Sequence, residues 1–295
     1  MSPPAIPTMA VRMAIHPHDR IGTADRRWTP APHTEEELLD GTLRGGMAGV
    51  VSHPMDNVLW KIGMLCDGEP DSQFGLAGVD VMSRQEVLAL VGGASGFEPD
   101  PFVRWGPVRV RPEPILAECR AMGDRLALAC EREERIVLAT GHPTGLIQLW
   151  AELGRVLERL GCTILRPADG VTWEEPERRV PRRQIRYLNG GVAVLTDRAS
   201  ARHTHNPRPM QIMLEEATPD LVIADHGFAG AAIQAGIDTV SVADVNDPAL
   251  IVAKAQGRTE VVVVMDDNVR PEAYWPCYQA ACERLPLDRL SASAR

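Results

Sequence analysis

The sequence predicts an α/β fold: a Rossmann-like, mainly parallel sheet with an inserted β-hairpin, plus a mostly helical N-terminal segment. Three observations carry this. After Arg135, short runs rich in Val and Ile alternate with stretches of helical length. Those runs are apolar throughout instead of alternating with polar residues, as expected of strands covered on both faces of a parallel sheet. One interruption, made of Gln184–Asn189, Gly190-Gly191 and Val192–Thr196, has the layout of a hairpin.

The elements follow in order. Residues 1–34 form a Pro-rich arm expected to be flexible, because Pro3, Pro4, Pro7, Pro17, Pro30 and Pro32 oppose a helix. Thr34 followed by Glu35-Glu36-Glu37 reads as an N-cap with a capping-box glutamate, opening a helix that ends near Gly45-Gly46. The helical segment 35–112 continues with a helix over Val58–Leu65 and another capped by Ser83 and running to Leu90. Gly92-Gly93 and Pro99-Asp100-Pro101 mark loops. The α/β domain spans 113–295. It opens on a long amphipathic helix whose apolar face is Ile115, Leu116, Cys119, Met122, Leu126 and Leu128. Strands are expected at Ile136–Thr140, Thr163–Arg166, Leu221–Asp225, Thr239–Asp244 and Val261–Asp266. Helices are expected at 144–160, 208–217, 228–235, 248–256 and 271–284.

Composition excludes several function classes. The 295 residues hold 31 Lys plus Arg against 40 Asp plus Glu, a net charge of −9. That balance disfavours nucleic acid and anionic membrane as partners. No apolar run approaches the roughly 18 residues of a membrane span, and Met1–Ala10 lacks a signal-peptide pattern, so a cytoplasmic protein is expected. The six cysteines form no Cys-x-x-Cys pair and read as buried free thiols. Lys61 and Lys254 are the only lysines, which leaves little room for Schiff-base chemistry or a P-loop. A homo-oligomer stays open.

Ligands of open parallel sheets bind outside the carboxyl ends of the strands. Here those ends carry Thr140-Gly141-His142-Pro143-Thr144-Gly145, Asp225-His226-Gly227, Asp244-Val245-Asn246-Asp247-Pro248 and Asp266-Asp267-Asn268. The hairpin exits into His203-Thr204-His205-Asn206-Pro207. Any one Asp or Asn after a strand is often only the next helix's N-cap. Three successive strands each ending in a carboxylate, with histidines at three neighbouring termini, point instead to a site. Thr140, Gly141, Thr144 and Gly145 open a helix and form the expected phosphate cradle. Asp225, Asp244, Asp247, Asp267 and Asn268 are the expected ligands of a divalent metal ion, Mg²⁺ or Mn²⁺ foremost, with Fe or Zn²⁺ admitted by the imidazoles. His142, His203, His205 and His226 are acid/base or ligand candidates. Alternation along a strand turns Asp266 and Asp267 to opposite sides, and Asp267 is expected to face the metal.

Anion cradle, metal site and histidines together suggest phosphoryl hydrolysis. At Ala139–Gly145, His203-Thr-His205, Ala224-Asp-His-Gly227, Ala243-Asp-Val-Asn-Asp-Pro-Ala249 and Asp266-Asp-Asn-Val269 the chain resembles an actinobacterial family generically labelled "phosphatase". The resemblance extends weakly into Ala48–Asn57, where Met55-Asp56 replaces an expected basic residue. It implies phosphomonoester hydrolysis and gives no substrate; the site as a whole leads us to expect a metal-dependent phosphatase of a small phosphorylated metabolite, such as a sugar or nucleoside phosphate. A metal-dependent lyase or isomerase on such a compound, and a non-catalytic phosphometabolite-binding protein, are the alternatives.

Overall fold

The computed structural model describes residues 26–100, 102–174 and 182–292. The first 25 residues of the expected Pro-rich arm lie outside them. The rest of the arm is docked: Trp28 is buried against Tyr278 with ring centroids 5.3 Å apart. The Gln279 side chain donates to Arg27 O and Thr29 O and accepts from Ala31 N–H. Three main-chain partners for one buried amide explain why this Pro-rich stretch is held without a helix.

The N-terminal part contains α1 (Glu35–Gly45), β1 (Gly49–Val50), α2 (Met55–Cys66), α3 (Pro70–Gln73), α4 (Arg84–Ser95) and β2 (Arg109–Val110). Thr34 and Glu37 form a reciprocal capping box on α1, and Gly46 closes it in the left-handed region at φ 83°. Ser83 and Glu86 do the same for α4. Gly92-Gly93, expected to mark a loop, instead lie inside α4. The reason is packing: a Cβ on Gly92 would sit 2.6 Å from Pro99 Cδ and 2.8 Å from Phe97 O, so the glycine admits the returning chain. The β1–β2 pair is antiparallel and too short to carry a periodic signal.

The α/β part follows with α5 (Pro112–Arg132), β3 (Arg135–Thr140), α6 (Ile147–Arg159), β4 (Thr163–Leu165), β5 (Thr172–Glu174), β6 (Arg182–Leu188), β7 (Val192–Asp197) and β8 (Ser200–Ala201). It ends with α7 (Arg208–Glu216), β9 (Leu221–Asp225), α8 (His226–Gln234), β10 (Thr239–Ala243), α9 (Pro248–Ala255), β11 (Val261–Val264), α10 (Trp275–Cys282) and α11 (Asp288–Ala292). One nine-stranded sheet runs β11-β10-β9-β3-β7-β6-β5, with β4 also on β3 and β8 on β7. The strands β11, β10, β9, β3 and β4 are parallel. On the far edge of β3, β4 pairs its first half and β7 its second half, the latter also in parallel. The hairpin β6–β7 is antiparallel, with Leu188 opposite Val192 around Asn189–Gly191.

The chain leaves β3 toward β4 through α6, whereas β9, β10 and β11 advance the other way through α8 and α9. Right-handed crossovers therefore place α6 and α8–α9 on opposite faces. One apolar core cluster joins both parts: Leu38 of α1, Leu65 of α2 and Val91 of α4 belong to it together with the strands. The N-terminal helices thus reach the carboxyl ends of the strands. Among the described residues, no helix is long and apolar enough to cross a membrane.

Candidate active site

Asp225 is fully buried at the end of β9, and His226 follows at φ 49°, a left-handed conformation uncommon for a side-chain-bearing residue. That turn swings the imidazole back onto the preceding carboxylate, with His226 Nδ1 2.7 Å from Asp225 Oδ2. The same oxygen accepts Gly141 N–H at 2.9 Å, and Oδ1 accepts Trp150 Nε1–H at 3.2 Å. Asp225, expected as a metal ligand, is therefore occupied by three N–H donors. It fixes the tautomer of His226, so that Nε2 is the ring atom left to face the cleft.

Two glycines let the 203–206 loop close on this turn. A Cβ on Gly141 would lie 2.4 Å from Thr204 O, and one on Gly227 would lie 2.2 Å from His205 O. With both absent, His203 Nε2 comes within 3.4 Å of His226 Nε2. The His203 and His142 rings stack at 4.8 Å, and those of His205 and His226 at 5.1 Å. His205 is oriented from behind by Asp71 of α3, whose Oδ2 is 3.1 Å from its Nδ1.

Carboxylates complete the cluster. Asp247 Oδ2 is 3.3 Å and Asp267 Oδ2 3.7 Å from His226 Nε2. Asp267 Oδ1 pairs with His142 Nδ1 at 3.1 Å. Its neighbour Asp266 turns away and accepts the N–H groups of Ser52 (2.6 Å) and Asn268 (3.0 Å). Asp244, another expected ligand, is buried and does not line the cleft, and its Oδ2, like that of Asp267, has no hydrogen-bond partner. Its Oδ1 takes Val245 N–H, and its Oδ2 is 3.5 Å from His53 Nε2. Asn268 is exposed and lines the cleft.

The expected phosphate cradle does not form. Gly141 N–H goes to Asp225, His142 N–H to Thr140 Oγ1 at 2.9 Å and Gly145 N–H to His142 O at 3.1 Å. Those three donors are already taken, one by Asp225 and two within the turn, and none of Thr140, Gly141, Thr144 or Gly145 lines the cleft. The turn instead buries Thr140 and aims His142.

Four residues that sequence reasoning missed come from the N-terminal part: His53, Asn57, Lys61 and Asp71. The first three line the cleft, of about 290 Å³, and Asn57 accepts a hydrogen bond from Asn246 at 2.9 Å. Asn57 and Lys61 are four residues apart on α2 and share one face. Met55 is buried in the core, and Lys61, further along α2, is the cation that lines the cleft among the described residues. Two signals pointed this way: the weak resemblance over Ala48–Asn57, which contains His53 and Asn57, and the four-residue spacing of Asn57 and Lys61.

The electrostatics follow from burial. Burial opposes protonation of His226, but Asp247, Asp225 and Asp267 outweigh it and raise its pKa well above the usual imidazole value. His203 goes the other way: burial and the neighbouring His226, His205 and His142 push it down to about 4. Burial and His226 also lower His205. Burial works to raise Asp247, yet the His226 imidazole holds its carboxyl below the usual range. Burial and the carboxylates of Asp267, Asp266 and Asp247 raise Asp244 well above it. For His142, burial opposes protonation, but Asp267 wins and the pKa rises.

The donor set fits a divalent cation. His203 Nε2, Asp247 Oδ2 and Asp267 Oδ2 surround His226 Nε2, and the buried Asp267 Oδ2 has no hydrogen-bond partner. Two ligand nitrogens about 2.05 Å from one tetrahedral cation lie about 3.3 Å apart, close to the separations seen here. Two groups, His203/His205/His226 and His142/His226/Asp267, each gather within 4.8 Å. They share His226, whose Nδ1 is taken by Asp225, so its one remaining nitrogen can serve either group but not two ions at once.

Comparison with known proteins bears on the chemistry. The sequence profile of the family described as "Phosphatase" matches residues 33–288. The chain is 35% identical over 255 residues to Phosphatase SCO2771 of Streptomyces coelicolor, covering 83% of this chain and 94% of that protein.

Proposed function

The chain belongs to the Phosphatase family and is a phosphatase enzyme; on that premise we propose that it hydrolyses a small phosphorylated metabolite, such as a sugar or nucleoside phosphate, with a divalent metal held by the imidazole–carboxylate cluster. The observation that carries the reading is that His203 Nε2, Asp247 Oδ2 and Asp267 Oδ2 all lie within 3.7 Å of His226 Nε2, while the buried Asp267 Oδ2 lacks a hydrogen-bond donor. His203, His205, His226, Asp247 and Asp267 would hold the ion. This nitrogen-rich set favours Mn²⁺, Fe²⁺ or Zn²⁺ over Mg²⁺, which prefers oxygen ligands. When bound, such an ion polarises phosphoryl oxygens and lowers the pKa of a bound water.

The remaining residues bind and move protons. Lys61 and Asn57 at the cleft wall receive the phosphate oxygens. His142 gives its Nδ1–H to Asp267, which holds the ring in place and raises its pKa. With its protonated form favoured by Asp267, His142 is suited to donate a proton to the leaving oxygen. Asp225 acts through His226, and Asp71 through His205, as positioning residues. A cleft of about 290 Å³ suits a small ester. The six cysteines are unbridged thiols, which supports a reducing, cytoplasmic setting.

The test is phosphate release from a metabolite library, before and after chelation and after return of Mn²⁺, Fe²⁺ or Zn²⁺. Loss on chelation and recovery on return supports the reading. Release that survives complete metal removal overturns the metal's part in it.

A further inference from the structure

The strands β6, β7 and β8 do more than extend the sheet. Their register brings Arg183 of β6, Asp197 at the end of β7 and Arg202 just after β8 to one edge. Asp197 Oδ2 lies 3.6 Å from Arg183 Nη1 and 3.5 Å from Arg202 Nη2, so one carboxylate orients two guanidiniums. Arg202 directly precedes His203 of the imidazole cluster. Both arginines line a second cleft, of about 470 Å³, which shares His203 and His205 with the first. Among the described residues, Asp71 is the only acid lining it, and that carboxylate is engaged by His205. Guanidinium forks match phosphate and carboxylate oxygens. Asp197 meets Arg202 through one nitrogen, and about half of the Arg202 side chain is exposed to the cleft side.

We propose that the second cleft is a subsite for a second anionic group on the substrate, a phosphate or a carboxylate, held by Arg202 with Arg183 next to it. The proposal rests on the phosphatase reading of the adjoining cluster. It makes the preferred substrate a compact phosphate ester with a second anion, the reacting phosphate at the imidazoles and the other anion one residue along the same loop.

The experiment compares kcat/KM for propane-1,3-diol monophosphate, propane-1,3-diol bisphosphate and 3-phosphooxypropanoate, in the wild type and in Arg202→Gln. The wild type is expected to favour one of the two-anion esters over the monophosphate by roughly tenfold or more, the scale of one charge-assisted hydrogen bond. Which of the two is favoured identifies the second anion as phosphate or carboxylate. In Arg202→Gln that ratio is expected to fall close to one. Equal use of all three esters by the wild type, or an unchanged ratio in the variant, overturns the subsite. Release of phosphate from none of them counts against the activity on small esters, and calorimetry with propane-1,3-bisphosphonate and propylphosphonate then decides. Tighter wild-type binding of the bisphosphonate, lost in Arg202→Gln, supports the subsite; equal binding overturns it.

Discussion

Asp225→Asn separates a positioning carboxylate from a metal ligand. Asp225 accepts three N–H groups, from His226 at 2.7 Å, Gly141 at 2.9 Å and Trp150 at 3.2 Å. An asparagine keeps the shape but has one acceptor oxygen. The oxygen will stay where two donors meet, facing His226 and Gly141, and the amide will face the longest bond, at Trp150. One buried N–H then loses its acceptor, for a cost of about 1–3 kcal/mol of stability. His226 also loses the charge that helps to raise its pKa and fix its tautomer. Loss of such an outer partner typically costs 10–100-fold in metal affinity or activity. The assay is calorimetric titration of chelated protein with Mn²⁺ and Zn²⁺, together with kcat/KM and a thermal melt. A folded variant with wild-type affinity and turnover refutes the positioning role. A folded variant that binds no metal at all makes Asp225 a direct ligand.

Other substitutions probe other parts of the site. Asp267→Asn should lower turnover by about 10²-fold or more, while the Tm of the metal-free protein stays nearly unchanged, because the lost pairing with His142 is offset by relief of repulsion with the buried Asp244; a melt and a rate measurement check both. Gly227→Ala pushes a Cβ to within 2.2 Å of His205 O and 2.5 Å of Asn206 C, so it should cost about 1–3 kcal/mol and weaken metal binding, read by melt and titration. Lys61→Ala should raise KM for phosphate esters by about tenfold, the loss of one charge-assisted contact, with metal content by mass spectrometry unchanged. The raised pKa of the metal-free His226 favours its protonated form, whereas His203, at about 4, is neutral at pH 7. Metal uptake should therefore release about one proton per chain at pH 7, measurable by calorimetry in buffers of different ionisation enthalpy. Zero release contradicts that sign.

The sheet was legible because buried parallel strands are written as short apolar runs: Leu221–Asp225 is observed at its expected ends, and Val261–Val264 lies within Val261–Asp266. The hairpin was legible from Gly190-Gly191 between two strand-like runs. The strand-end rule gathered His142, His203, His205, His226, Asp247 and Asp267 before any coordinates. The turn at 140–145 was misread because a sequence does not say which N–H groups are already taken, and Asp225, which takes one, is 84 residues away. His53, just before α2, and Asn57 and Lys61 on it reach the site through tertiary packing, as where Asn246 after β10 donates to Asn57. Gly92-Gly93 resembled a loop because glycine punctuates chains in isolation, yet here it makes room for Pro99.

Anomalous diffraction from crystals grown with Mn²⁺ and then with Zn²⁺ tests the central claim most directly. A peak at the absorption edge bonded to His226 Nε2 and His203 Nε2, with an Asp247 or Asp267 oxygen completing the set, is the predicted result. A site without a peak, or a peak coordinated by Asp225 or Asp244 instead, would contradict it.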